Sequence, residues 1–167
     1  SGVEFTDYAG GAGTTLTVLI RNATGGFNRF SLNTGGANVT FVSIADINGD
    51  SWPDIVASNA NHLTTTGTVS VFQNNGAGGF VLVGAPFSTF GDSPAWVGLA
   101  DMTGDNILDV IVANSGKDDG TGQGNVIGNN VTVFQGNSDG AGHGNFTFSL
   151  ITTLAPGTAF TPTAIAV

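Results

Sequence analysis

The sequence of 167 residues contains no cysteine and few charged side chains of either sign. The absence of cysteine excludes disulfide bonds and thiolate zinc sites. Arg21, Arg29 and Lys117 are the only Lys or Arg side chains against 12 acidic residues, which gives a net charge of −9. A chain this acidic lacks the basic patches that bind nucleic acid or an anionic membrane surface, so neither partner is expected.

Long apolar runs and helix-favouring residues are also scarce. No run of roughly 18 apolar residues occurs, so the sequence predicts no transmembrane helix. Charged residues make up only 9% of the chain, whereas glycine occurs 27 times and asparagine and threonine are frequent. Glycine and asparagine favour turns and threonine favours strands, so this composition predicts an all-β fold with many tight turns.

The chain contains an internal repeat of short apolar segments. The matching pairs are Phe41–Asp46 with Trp96–Asp101, Ile55–Asn59 with Val110–Asn114, and Val69–Gln73 with Val131–Gln135; Leu16–Ile20 is an earlier copy of the last segment. Runs of this length bounded by Gly and Asn predict three strands in each repeat. An aromatic residue after the turn that follows the third strand marks a fourth strand. A unit of four antiparallel strands has the size of a β-propeller blade, which packs on neighbouring blades.

The repeat predicts that residues 1–167 are part of one β-propeller and supply about three blades, two complete and flanked by partial ones. The predicted divisions are 1–37 for the outer part of a blade, 38–92 and 93–160 for two blades, and 161–167 for the first strand of a further blade. Because Pro162–Val167 matches Pro94–Leu99, we expect the sequence to belong to a longer chain or to combine with other chains.

Two nine-residue loops carry the strongest chemical signal. Asp46–Asp54 and Asp101–Asp109 both place oxygen side chains at positions 1, 3, 5 and 9 and glycine at position 4. Calcium takes about 6–8 oxygen ligands in a flexible shell, whereas magnesium demands strict octahedral geometry, so the loops predict two Ca²⁺ sites. With the backbone carbonyl at position 7, the expected ligands are Asp46, Asn48, Asp50, Trp52 and Asp54 in the first site and Asp101, Thr103, Asp105, Ile107 and Asp109 in the second.

The glycines at position 4 predict a positive φ at Gly49 and Gly104. The loops are not EF-hands, which need glycine at position 6 and glutamate at position 12. Asp, Asn and Gly also dominate ordinary turns, which are the alternative interpretation. Two copies in phase with the repeat favour a structural cation that bridges three mutually repelling carboxylates. The hydroxyl of Thr103 is a weaker ligand than an amide, which predicts weaker binding at the second site.

These segments resemble the FG-GAP/VCBS repeat, which builds the β-propeller of integrin α subunits. The residues that carry the resemblance are Ile44–Val56, Val69–Gly76 and Gly79–Phe80. The resemblance implies calcium in the loop between the first and second strands of a blade. It also implies a secreted or cell-surface protein that acts in adhesion, in binding a ligand such as carbohydrate, or in scaffolding. Thr103 departs from the Asn or Asp usual at its position.

The loops between strands 2 and 3 and between strand 4 and the next strand 1 lie opposite the calcium loops, on the face where the resembling integrins bind ligands. The predicted strand 2–3 loops span about Glu4–Thr14, Asn59–Thr68 and Ser115–Asn130, and the strand 4–1 loops about Asn33–Asn38, Gly84–Pro94 and Ala155–Pro162. Their unequal lengths indicate either a site for a glycan or protein ligand or tolerated loop variation. The candidate ligand-binding residues are Asn59, Asn61, His62, Asp118, Asp119, Gln123 and Asn125. The remainder of the propeller or neighbouring subunits are the other expected partners.

No arrangement of residues indicates catalysis, so the chain is not expected to be an enzyme. His62 and His143 are too far apart in the repeat for a metal triad, and Glu4 is the only glutamate. One alternative function is a structural subunit of an extracellular oligomer or filament assembled by blade completion. Another is an accessory propeller of a polysaccharide-degrading enzyme. The Trp52 ring is expected to pack on a neighbouring blade, with stacking on a sugar as the alternative.

Overall fold

The computed structural model of the chain describes residues 2–4, 13–60, 66–118, 126–154 and 161–166. Within these ranges every regular element is a β-strand and no helix is present, which confirms the all-β prediction. The same ranges therefore hold no helix long and apolar enough to cross a membrane. The strands are β1 Gly2–Glu4, β2 Thr15–Arg21, β3 Phe27–Asn33, β4 Val39–Ala45, β5 Asp54–Asn59, β6 Thr68–Asn74, β7 Phe80–Leu82, β8 Phe87–Ser88, β9 Pro94–Ala100, β10 Asp109–Asp118, β11 Val126–Ser138 and β12 Gly144–Leu154.

The strands form three antiparallel sheets. Sheet 1 has the order β1-β2-β3, sheet 2 the order β4-β5-β6-β7 with β8 also paired to β6, and sheet 3 the order β9-β10-β11-β12. Neighbours in sequence are neighbours in each sheet, because a short turn is enough to join antiparallel strands; the exception is β7 and β8, which both pair with β6. Among the described strands no sheet closes on itself. The division of the chain into blades of a propeller stays a prediction.

Sheet 2 is the middle layer of the three. Its strand β5 is buried along its whole length, which explains why the residues between Asp54 and Asn59 are all small or apolar rather than alternating with large polar ones. Ile55 and Phe72 pack against sheet 1, while Val56, Val69 and Val71 pack against sheet 3. Their buried partners are Leu16, Val18 and Leu32 in sheet 1 and Val97, Val110, Val112 and Phe134 in sheet 3.

The two interfaces between sheets use equivalent positions of the repeat. Phe72 faces sheet 1, and its equivalent Phe134 faces sheet 2. Ile55 likewise faces sheet 1, and its equivalent Val110 faces sheet 2. The same face of each sheet therefore packs on the sheet that precedes it, as expected when repeats stack through nearest-neighbour contacts.

The edge strands β4 and β9 lie side by side and are joined by side-chain hydrogen bonds. The hydroxyl of Thr40 donates to the carbonyl of Pro94 at 2.5 Å, and Ser43 Oγ donates to the carbonyl of Val97 at 2.6 Å. A hydroxyl that reaches an edge carbonyl pairs a group that its own sheet leaves open. These bonds fix sheet 3 against sheet 2 along the edge.

The segments that leave one sheet are tied into the next. The carbonyl of Thr34, just after β3, accepts a hydrogen bond from Ser70 Oγ in β6 at 2.6 Å. The carbonyl of Thr89, just after β8, accepts the equivalent bond from Thr132 Oγ1 in β11 at 2.6 Å. All four residues are buried, so these polar groups gain protein partners in place of water.

Phe41 and Trp96, which the repeat predicts to be core residues, are only half-buried. Their ring centroids lie 6.0 Å apart, and Phe41 also packs against the core between sheets 2 and 3. The Trp96 ring folds over Gly98, where an added Cβ would overlap the indole. Both rings therefore contact the edge of the core rather than its centre.

The loop predicted from Ser115 to Asn130 is shorter than expected. Strand β10 continues to Asp118 and β11 begins at Val126, so these two residues pair across an extended hairpin. The extension is polar and glycine-rich, and it pairs through the backbone, so the apolar pattern gives no sign of it. The predicted loop at 84–94 likewise contains the short strand β8.

Candidate metal centre

The two carboxylate loops occupy equivalent places in sheets 2 and 3. The first joins β4 to β5 and the second joins β9 to β10. The positive φ predicted at position 4 is confirmed, at 75° for Gly49 and 79° for Gly104. Position 6 is also left-handed, with φ of 69° at Ser51 and 63° at Asn106, which the sequence did not predict. Two such residues curl each loop back on its first side chain.

The carboxylate at position 1 organises the first loop. Asp46 Oδ1 accepts hydrogen bonds from the backbone N–H groups of Gly49 at 2.7 Å and Asp50 at 3.1 Å. Its Oδ2 accepts a third from the N–H of Ser51 at 2.7 Å. Hydrogen bonds to an ionised acceptor are among the stronger ones in proteins, so Asp46 holds the loop in its curled form.

The second loop repeats this arrangement. Asp101 Oδ1 accepts from the N–H groups of Gly104 at 2.7 Å and Asp105 at 3.2 Å, and its Oδ2 accepts from Asn106 at 2.9 Å. The repeat thus reproduces the hydrogen bonds of the loop as well as its sequence, although the residue at position 3 changes from Asn48 to Thr103.

The carboxylate at position 9 lies beneath each loop and is buried. Asp54 accepts the N–H of Ile47 on Oδ2 and the N–H of Asn74 on Oδ1, both at 2.9 Å. Burial raises the pKa of Asp54, and the charges of Asp50 and Asp46 raise it further. The carboxylate therefore joins the loop to β6, in surroundings where its negative charge is not balanced.

Asp109 makes the equivalent connection in sheet 3. Its Oδ2 accepts the N–H groups of Met102 at 2.7 Å and Thr103 at 3.0 Å, and its Oδ1 accepts the N–H of Gly136 in β11 at 2.9 Å. The spacing of the loop predicted position 9 only as a calcium ligand and did not predict this structural role.

The side chains at positions 3 and 5 lie at the exposed side of each loop. Asn48 Nδ2 donates to Asp50 Oδ2 at 2.9 Å, and the N–H of Trp52 donates to Asp50 Oδ1 at 2.8 Å. In the second loop the N–H of Ile107 and the side-chain amide of Gln135 donate to the Asp105 carboxylate, at 2.9 and 3.2 Å. These donors lower the pKa of Asp105.

The oxygen atoms of the two loops are the kind of ligand that a hard cation prefers. In this structure, however, the side chains that carry them do not converge on one centre. Among the described residues, no three His, Cys, Asp or Glu side chains converge into a group that could hold a metal ion. The carboxylates at positions 1 and 9 are instead taken up by backbone N–H groups. Every predicted ligand atom is nevertheless an oxygen, which calcium prefers. The described part of the chain shows no ion pair between these carboxylates and a basic side chain; the contact of this kind that it does show joins His143 Nδ1 to Asp139 Oδ2 at 3.4 Å.

The Trp52 side chain is half-exposed, with 50% of its surface accessible. It lies against Gly76 in the turn after β6 of its own sheet, where an added Cβ would be 2.8 Å from the indole Nε1. This contact lies within its own sheet, and packing of the ring on a neighbouring blade stays a prediction. Position 7 of the loop faces the turn between the third and fourth strands of the same sheet, and the glycine there leaves room for the ring.

The candidate ligand-binding residues are only partly within the described ranges. Asn59 is fully buried, and its Nδ2 donates to Ser70 Oγ at 2.9 Å. This corrects its assignment to a binding face, because the residue lies in the core where β5 ends. Asp118 is the last residue of β10. The residues outside the described ranges are Asn61, His62, Asp119, Gln123 and Asn125.

Residues 46–112 match the family model of the FG-GAP-like repeat. The match begins at the first residue of the first loop and includes the second loop entirely, so it confirms the resemblance seen in the sequence. Repeats of this family are typical of extracellular proteins. Comparison with curated proteins and with solved structures finds no match to this chain.

Proposed function

We propose that this chain is a calcium-stabilised segment of an extracellular β-propeller in which sheets 1, 2 and 3 are successive blades. The repeated packing of each sheet on the one before it supports the architecture. The observation that carries the calcium assignment is the pair of equivalent loops, each with three carboxylates that no described basic side chain pairs with. A divalent cation would offset this charge in both loops.

The protein ligands of the proposed ions would all be oxygen atoms of the loops, and water would complete each coordination shell. The ligands would be Asp46, Asn48, Asp50, the Trp52 carbonyl and Asp54 in the first site and Asp101, Thr103, Asp105, the Ile107 carbonyl and Asp109 in the second. A calcium ion would supply two positive charges and would draw the carboxylates at positions 1, 5 and 9 towards one centre. The Thr103 hydroxyl replaces the amide oxygen of Asn48, so the second site would be the weaker one.

The proposed role of the segment is adhesion, ligand binding or scaffolding outside the cell, with no catalytic activity of its own. The ligand would be a glycan or a protein that contacts the loops opposite the calcium sites. A glycan array probed with the chain in calcium tests the carbohydrate form of this proposal. Binding to a defined glycan would support it, and an array without signal would leave a protein ligand or a scaffolding role.

Replacing Asp50 or Asp105 with Ala should remove one bound calcium ion each and lower the melting temperature in calcium. Both carboxylates are exposed, so the loss of an ion rather than of packing would be the cause. Equilibrium dialysis followed by metal analysis gives the ion content, and each single variant serves as the control for the other. The double variant should bind no ion. Unchanged ion content in both single variants would reject the assignment.

A further inference from the structure

The first loop is joined to sheet 3 as well as to its own sheet, and Ile47 makes the connection. Its side chain, 4% exposed, lies in the core between sheets 2 and 3, where Phe146 and Phe148 pack. Its N–H donates to Asp54 Oδ2 at 2.9 Å. Its carbonyl oxygen lies against Gly144 at the start of β12, where an added Cβ would overlap it. One residue therefore contacts both a proposed ligand and the facing sheet.

The tip of the hairpin between β11 and β12, residues 139–144, rests on the first loop. The His143 ring lies over Gly49, where an added Cβ would be 2.8 Å from its Cδ2 atom. The tip is held in shape by Asp139 Oδ1, which accepts the N–H groups of Ala141 at 2.7 Å and His143 at 3.2 Å. A preformed tip of this kind can position the loop beneath it.

The length of this hairpin explains why it reaches the loop. Beyond the equivalent positions Asn74 and Gly136, the hairpin of sheet 2 has five residues before the pairing partner Phe80, whereas that of sheet 3 has eleven before the partner Phe148. The second loop has a different environment within the described ranges. Met102, the repeat equivalent of Ile47, is 54% exposed, and the described residues include no sheet after sheet 3 that would face it as sheet 3 faces Ile47. The two loops thus share their internal hydrogen bonds and differ in what covers them.

We infer that ordering of the first loop and seating of sheet 3 on sheet 2 are one coupled event, with Ile47 as the link and the hairpin tip as the positioning element. Where it concerns calcium, the inference rests on the proposed function: ion binding at the first loop and docking of the tip strengthen each other. Such coupling is reciprocal: docking of the tip strengthens ion binding by the same factor by which the ion strengthens docking, so a change that loosens the tip must weaken ion binding. The second loop lacks this coupling to sheet 2.

The test for the metal-bound protein is Gly144→Ala, compared with Gly26→Ala. The second variant adds the same methyl group at the end of a turn in sheet 1, where the nearest atom is 3.4 Å away. Terbium is the probe, excited through an indole, because Trp52 lies in the first loop and Ile107 stands at the same position of the second. Gly144→Ala should weaken terbium at the first site by roughly fivefold or more. Gly26→Ala should leave the affinity unchanged, and total ion analysis should show the second site retained in both.

The test for the metal-free protein is hydrogen exchange in EGTA. The N–H groups of Gly49, Asp50 and Ser51, which bond to Asp46, should exchange faster in Gly144→Ala than in the control. His143→Ala, which removes an exposed side chain, should give a smaller increase at the same three N–H groups. This second variant keeps the test decisive if Gly144→Ala does not fold.

Exchange rates and terbium affinity equal to those of the control in both variants would overturn the coupling. A wild-type chain that binds neither terbium nor calcium would instead refute the proposed function. In that case the exchange of the three loop N–H groups alone decides the coupling, with faster exchange in the variants supporting it and equal exchange rejecting it.

Discussion

Replacing Asp109 with Ala should lower the free energy of unfolding by about 3–5 kcal/mol, even without calcium. The carboxylate is fully buried and accepts three backbone N–H groups, from Met102, Thr103 and Gly136. Alanine leaves all three without a protein acceptor, and each unpaired buried donor costs about 1–3 kcal/mol. Urea unfolding of the wild type and the variant in EGTA measures the difference.

The matched control for this prediction is Asp105→Ala in the same loop. Asp105 is exposed, so its replacement should change stability far less in the absence of calcium. Asp109→Asn should give an intermediate loss, because the amide keeps one oxygen acceptor and loses the other. Equal losses for Asp109→Ala and Asp105→Ala in EGTA would show that position 9 does not anchor the loop.

Replacing Phe134 with Ala should destabilise the chain by about 3–5 kcal/mol, the usual cost of removing a buried aromatic ring. Phe134 is 3% exposed and packs edge-on against Phe87, with ring centroids 5.0 Å apart. It lies at the centre of the core between sheets 2 and 3. Thermal or denaturant unfolding of the variant gives the loss.

Two further phenylalanines make this prediction specific. Phe72→Ala should cost a similar amount, because Phe72 is the repeat equivalent of Phe134 and is 2% exposed between sheets 1 and 2. Phe27→Ala should cost little, since that ring is 58% exposed. If Phe134→Ala were as mild as Phe27→Ala, sheets 2 and 3 would not pack through this face.

The strands were predictable because their signals are local. The apolar segments predicted up to Gln135 lie in strands, as Val69–Gln73 does in β6 and Val110–Asn114 in β10, with only Asp46 and Asp101 one residue beyond a strand end. Residues 161–166, predicted to belong to the first strand of a further blade, are not in a strand. β-branched residues favour the extended chain, and Gly and Asn end it. The polar part of the hairpin from Ser115 to Asn130 was not predictable in this way. Its pairing depends on the backbone and on the strands already aligned beside it, and neither leaves a pattern in the side chains.

The candidate site was predictable in composition and only partly in geometry. The spacing of oxygen side chains located both loops and the left-handed glycines, whereas burial depends on contacts between sheets. Ile47 and Met102 stand at the same loop position, yet the first is buried between sheets 2 and 3, and the second is exposed on sheet 3, after which no further sheet is described. Asn59 likewise ends an apolar run, so its sequence is typical of a strand end at the surface. The connection from sheet 1 to sheet 2 covers it, because Gly36 lies against its side chain.

The measurement that tests the calcium assignment most directly is thermal unfolding in millimolar calcium and in excess EGTA. An ion that binds only the folded state stabilises it by about 2.7 kcal/mol per site when its free concentration is about 100 times Kd. For a chain of this size each kcal/mol raises the melting temperature by about 2–4 °C. Two sites should therefore give a rise of roughly 10–20 °C in calcium, reduced by about half in Asp50→Ala. Identical melting temperatures in calcium and EGTA would mean that both loops are ordinary turns.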